Sequence, residues 1–239
     1  EEPPPPATVV GTCLAMCPEA EAREREAFRE LSRLEQRRGA EAGGKPVVDL
    51  ARAVKRYQRP AAGAPPPLAS ELRPAPVLRT TVDYLLRLWV DELGAVEPLP
   101  LYFFIADRLR AVQQDMTVQR LSCADLLLRI ARYHALMELQ FSELADAAGA
   151  GYSRVRNREM LCNALISALE LPGADLPGPT HAELLSYFVL LHAEHPEPAQ
   201  SELARAPAPV LGSAAVRGAL HAVAALQSDD GAALARALA

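Results

Sequence analysis

The chain is poor in aromatic residues, which make up 5% of its 239 positions, and only two of its 25 basic residues, Lys45 and Lys55, are lysines. No run of about 18 apolar residues is free of charge, so no transmembrane helix is expected. The opening Glu1-Glu2-Pro3-Pro4-Pro5-Pro6 is the reverse of a basic region followed by an apolar core, and no secretory signal is expected from it. Four scattered cysteines (Cys13, Cys17, Cys123, Cys162) make no disulfide framework and point to a reducing, intracellular compartment. A net charge of −5 counts against a bulk electrostatic nucleic-acid binder. There is no G-x-G-x-x-G, no G-x-x-x-x-G-K-[ST] and no G-x-S-x-G, so phosphate-cradling loops and the hydrolase elbow are missing. Nothing in the sequence supports an enzyme.

What is present is half hydrophobic, dominated by Ala and Leu. Strong helix formers supplying the apolar mass predict an all-α protein. Residues 1–10 read as a disordered Pro/Glu-rich leader. Pro18 then opens a charged helix expected to run to about Arg38 on a thin stripe of Ala20, Ala27, Leu31 and Leu34. A short helix is expected over Val48–Tyr57, followed by a Pro-rich stretch to Pro76 with no regular helix. From Thr80 the helical period is plain. Val82, Leu85, Leu86, Trp89 and Leu93 share one face, and Leu101, Ile105, Leu109 and Val112 share the next. Further helices are expected over 124–147 with a start at Ser122, 157–170, 181–194 behind a Thr180/Glu183 capping box, 213–227, and from Asp229 or Asp230 to the end. No strand signal is visible. Successive helix pairs predict an irregular helical-repeat stack, with 79–239 as its main body, and the last residues look like half a helix pair, as in a fragment.

Three sets of residues could carry chemistry. Cys13 and Cys17 are four apart but have no second pair to complete a zinc site, so two buried thiols are the plainer reading. His134 lies on an apolar stripe and reads as a hydrogen-bonded core histidine. Two basic stretches, Arg52/Lys55/Arg56 with Tyr57 and Arg59, and Arg154/Arg156/Arg158 behind Tyr152, suit either RNA phosphates with a stacked base or an acidic partner, or simply a solvated face. The first sits in the segment 45–90, where eight basic residues face three acids inside an otherwise acidic chain. Asp107, Arg108, Arg110 and Asp115 on one helix suit an ion-pair lattice between neighbouring helices or a contact between subunits.

Several of these residues fall into blocks that resemble the SAC-three/GANP family. They are Gly11-Thr12-Cys13-Leu14-Ala15-Met16-Cys17-Pro18-Glu19, Ala53-Val54-Lys55-Arg56-Tyr57-x-Arg59, Glu71-Leu72-Arg73-Pro74-x-Pro76-Val77-Leu78, and Ile105-x-Asp107-Arg108-x-Arg110-Ala111-Val112-x-Gln114-Asp115. Thr81–Leu85, the helix bearing His134 and Ala224–Ser228 extend the pattern in order, so the likeness covers 11 to about 230 and is nearest to the short members of the family. The resemblance implies one domain over 11–239. It would be a right-handed PCI-type stack of helix pairs whose C-terminal winged helix is absent or truncated. It implies a scaffold coupling transcription to messenger-RNA export in the TREX-two complex at nuclear pores. The partners would be a PCI-domain protein and a small acidic subunit, with RNA bound weakly if at all, and no cofactor, metal or small-molecule substrate. Short members also imply a centrosomal or spindle adaptor as the alternative. Carried over as structural residues are Cys13, Cys17 and Pro18, anchoring the N-terminal segment; Tyr57, Arg59 and Arg73, fixing an irregular crossing; and Asp107, Arg108, Arg110 and Asp115, locking helices together.

Overall fold

The structure, a computed structural model, describes residues 9–42, 45–61, 63, 65–144, 151–228 and 231–238. They form ten α-helices and one two-stranded hairpin, an all-α helical-repeat fold. The chain divides into two compact units, Glu1–Leu121 and Ser122–Ala239.

In the first unit, α1 (Glu19–Ala27) starts behind Pro18, with Glu19 and Glu21 in the first turn where the helix dipole is positive. It stops eleven residues short of the expected Arg38, because Arg29 takes a left-handed φ of 62° and the Ser32 hydroxyl opens a new 3-10 turn by accepting the Leu34 N–H. Its buried face is Ala22 and Arg25, not the expected alanine–leucine stripe. The chain then forms the hairpin β1 (Gln36–Ala42) and β2 (Lys45–Val48), paired antiparallel with Gln36 opposite Val48 and an irregularity before Glu41. Charge and alanine hide this hairpin in the sequence. The helix expected over Val48–Tyr57 is likewise missing. Asp49 takes the Ala51 N–H on its own carboxylate, forming a tight turn, and the chain leaves it extended with Ala53 and Val54 fully buried.

Helix α2 (Ala75–Glu92) begins at Pro74-Ala75-Pro76, five residues before the expected start. Proline suits the first helical turn, where its missing N–H is not needed. Leu78, Val82, Leu85 and Trp89 are buried, whereas Leu93 lies past the helix end and is 54% exposed. Helix α3 (Pro98–Val118) is packed on several sides: Leu101, Ile105, Leu109 and Val112 are fully buried, together with the charged Arg108 and Asp115. The N-terminal segment pairs with the chain before α2, Thr12 N–H to Ala69 O at 2.7 Å and Cys13 N–H to Leu72 O at 3.0 Å.

In the second unit, α4 (Ala124–Gln140) packs on α5 (Arg154–Leu169), α5 on α6 (Gly178–Leu191), and α6 on α7 (Glu197–Arg205), α8 (Ala208–Leu211) and α9 (Ala214–Gln227), while α9 packs on α10 (Gly231–Leu238). Three details depart from expectation. Cys123, not Ser122, precedes α4, which ends at Gln140 rather than 147. Pro177 and Pro179 start α6, leaving Thr180 inside it instead of capping it. The loose stretch 196–212 forms the two proline-led helices α7 and α8. Asp229 and Asp230 lie outside the described residues. On α4, Leu126, Leu127, Ile130, Tyr133, His134 and Met137 are buried, so the helix is covered on two faces.

Candidate functional site

Two buried carboxylates organise the charged residues of the first unit. Glu35, fully buried, takes Arg25 Nη1 on both oxygens at 2.8 and 2.7 Å, Arg108 Nη2 at 3.1 Å and the Val54 N–H at 3.1 Å. Arg25 Nη2 goes on to Val54 O and to the Cys17 sulfur. Arg108 also donates to Asp107, which takes the Tyr57 N–H, and its guanidinium lies 4.1 Å above the Phe104 ring. Burial lowers the Arg108 pKa against the pull of Glu35. For Arg25 burial acts the same way, but hydrogen bonding to Glu35 prevails and the pKa is raised. Cys17 is pushed up to about 12, chiefly by burial and then by the charge of Glu21, which keeps it a thiol.

Asp115 is the second centre. Lys55 Nζ reaches one oxygen at 2.7 Å, and Arg73 Nε reaches the other at 2.7 Å. Lys55 also donates to Glu71 O, and Arg73, itself fully buried, donates to Met16 O. Gln119 completes the set: its amide nitrogen donates to Arg73 O and Asp115 O, and its oxygen takes the Gly11 N–H at 2.7 Å.

The structure thus brings Lys55, Arg73 and Asp115 into one cluster, and Arg108 and Asp107 into another. Arg110 stacks on the Tyr57 ring at 3.8 Å, while Arg59 is exposed. Cys13 is buried with its thiol on Ala15 O, and Pro18, also buried, precedes α1. Through Glu35 the lattice ties Arg108 of α3 to Arg25 of α1, and through Asp115 it ties α3 to Lys55 and Arg73 in the chain that precedes α2. Most basic residues with an RNA reading are paired with acids. Arg52 meets Glu92 at 3.3 Å and Arg56 meets Glu30 at 2.7 Å, while Arg154 and Arg158 share Glu138; Arg156 is exposed. In the second unit His134 is 1% exposed and meets Asn157 through Nδ1 at 2.9 Å, and burial lowers its pKa to about 4. Sequence reasoning missed Arg25, Glu35 and Gln119. Nothing in a run as charged as Glu19–Arg38 distinguishes the one acid that will be buried.

No group of three or more His, Cys, Asp and Glu among the described residues is placed to hold a metal, and no described helix is long and apolar enough to cross a membrane. The arrangement can fix chain segments to one another; charges already neutralised inside a core are not available to a substrate.

Fold and site together define a helical-repeat domain whose N-terminal half is cross-braced by buried ion pairs. The family model described as the SAC3/GANP family matches residues 16–239, and the chain belongs to that family. It is similar to SAC3 family protein 1 of Schizosaccharomyces pombe, 36% identical over 203 residues, which are 80% of this chain and 18% of the relative. SAC3 family protein B of Arabidopsis thaliana is 28% identical over 80% of the chain and 11% of its own length, and the Drosophila melanogaster protein named xmas is 30% identical over 76% and 9%. The chain therefore spans less than a fifth of the length of these relatives.

Proposed function

We propose that the chain is a non-enzymatic scaffold of nuclear messenger-RNA export that presents helix faces to a PCI-domain protein and a small acidic subunit. The observation carrying this reading is the family match, which runs unbroken through both units. The two buried networks support it, since they spend the polar residues of the first unit on rigidity. Direct RNA binding through Arg52, Lys55 and Arg56 is disfavoured because each meets a carboxylate. The reading places the chain in the nucleus, near the pore.

Affinity purification of the tagged chain from nuclear extract, read by mass spectrometry, tests this. A PCI-domain protein recovered with a small acidic subunit is the expected result. Centrosomal or spindle proteins recovered without any PCI protein would replace it with the adaptor reading.

A further inference from the structure

The turn and hairpin that follow α1 carry a second set of basic residues, separate from Arg52, Lys55 and Arg56. Arg29 takes the left-handed position just past α1, Arg33 lies on the 3-10 turn Arg33–Glu35, Arg37 on β1 and Lys45 on β2. All four are exposed, and none has an ion pair or a side-chain hydrogen bond among the described residues. The acids between them are engaged elsewhere. Glu30 pairs with Arg56 at 2.7 Å, and Glu35 turns inward, fully buried, onto Arg25 and Arg108. Residues 29–37 therefore alternate in sign along the chain, yet only their bases are left uncompensated. The hairpin bases share a face. Gln36 stands opposite Val48, which joins the core of Cys17, Ala22 and Ala53. Side chains alternate along a strand, so Arg37, next to Gln36, and Lys45, three residues from Val48, both point away from that core.

A protein partner finds little to hold here. The register of β1 breaks between Gln36 and Glu41, so that strand offers no continuous edge for another strand to pair with. No large exposed hydrophobic lies between Phe28 and Leu50, so there is no apolar anchor either. What remains is uncompensated positive charge, and charge alone suffices to hold phosphates. We propose that this turn and hairpin bind the phosphate backbone of a single-stranded nucleic acid without reading its bases. The chain is −5 overall, and free charges act over only about 8–10 Å at physiological salt. A narrow strand stays on the patch. A duplex or a charged bilayer laid across it would also meet exposed acids such as Glu19 and Glu24 of α1. The proposal is independent of the export reading, since it needs neither the PCI protein nor the acidic subunit.

The test titrates the full chain against a labelled oligouridine over a series of salt concentrations, read by anisotropy. Log affinity should fall linearly with log salt, with a slope of about −3 for four contacts at about 0.7 each. Arg33→Gln and Arg37→Gln should each reduce the slope by about 0.7 in magnitude. Both should leave the melting temperature unchanged, since neither side chain has a partner to lose among the described residues. Lys55→Ala is the control: its charge is held by Asp115, and the slope should stay as it is. An oligothymidine of the same length should bind within about threefold, because phosphates and not 2′-hydroxyls are held. Lys45→Gln carries the test if either arginine variant does not fold. Absence of saturable binding at low salt, or a slope unchanged in the folded variants of Arg33, Arg37 and Lys45, would overturn the proposal. So would tighter binding of polyglutamate or of phosphatidylserine vesicles than of the oligouridine, which would make the occupant an acidic protein or a membrane.

Discussion

Glu35 holds four hydrogen bonds where no water reaches, and two arginines depend on it. Removing one member of a buried ion pair typically costs about 3–5 kcal/mol, because the other charge stays buried and unpaired. Glu35→Gln should therefore lower unfolding stability by about that amount in denaturant titration, whereas Glu30→Gln, at an exposed pair, should change it by less than about 1 kcal/mol. His134 gives a pH-dependent counterpart. Its folded pKa of about 4 lies below the ordinary 6.5, so the unfolded chain takes the proton first. Stability is then complete above pH 6.5 and declines as pH falls from 6.5 towards 4. At about 1.4 kcal/mol per pH unit between the two values, the loss is on the order of 3 kcal/mol. Urea unfolding at neutral and acid pH measures it, and His134→Gln should remove most of the difference.

At the scale of elements, the amphipathic stretches were the legible part. The stripes of α2, α3 and α4 follow the 3.6-residue period, and the structure buries them with few exceptions. Prolines misled in one consistent direction. Read as breakers, those at the heads of α2, α6, α7 and α8 instead start helices, because a first-turn residue needs no N–H donor. The hairpin was illegible for a different reason: Gln36-Arg37-Arg38-Gly39 has no strand propensity, so neighbours rather than the local sequence set its conformation. The same holds for the charged centres. Asp107, Arg108 and Asp115 stood out as a spaced set on one helix, but their partners come from segments without any period, and Glu35 and Gln119 could not be matched to them in advance. The segment pairing 11–13 with 69–72 has a sharp test at Gly11. A Cβ there would lie 2.4 Å from Leu72 O and 2.8 Å from the Gln119 side-chain oxygen. Gly11→Ala should cost about 1–3 kcal/mol, as overpacking does, and hydrogen exchange at Thr12 and Cys13 should rise more than at α9.

For the whole molecule, a chain of net −5 whose basic patch is internally neutralised should hold RNA weakly and without specificity. Each phosphate contact adds about 1 to the slope of log affinity against log salt. Lys55→Ala should leave that slope unchanged while lowering the melting temperature, because Lys55 is 12% exposed and spends its charge on Asp115. The separation between partners in this bracing also fixes the order of events during synthesis. Gly11 finds its acceptor 108 residues later at Gln119, and Lys55 waits 60 residues for Asp115. At a translation rate of about 5–20 residues per second, the N-terminal segment leaves the ribosome roughly 5–20 s before its last anchor is made. Until then Lys55 and Arg73 lack their carboxylate and Gly11 its acceptor, so the first unit closes only as its final helix emerges, and a nascent chain stalled before Asp115 should be held by chaperones and open to proteases.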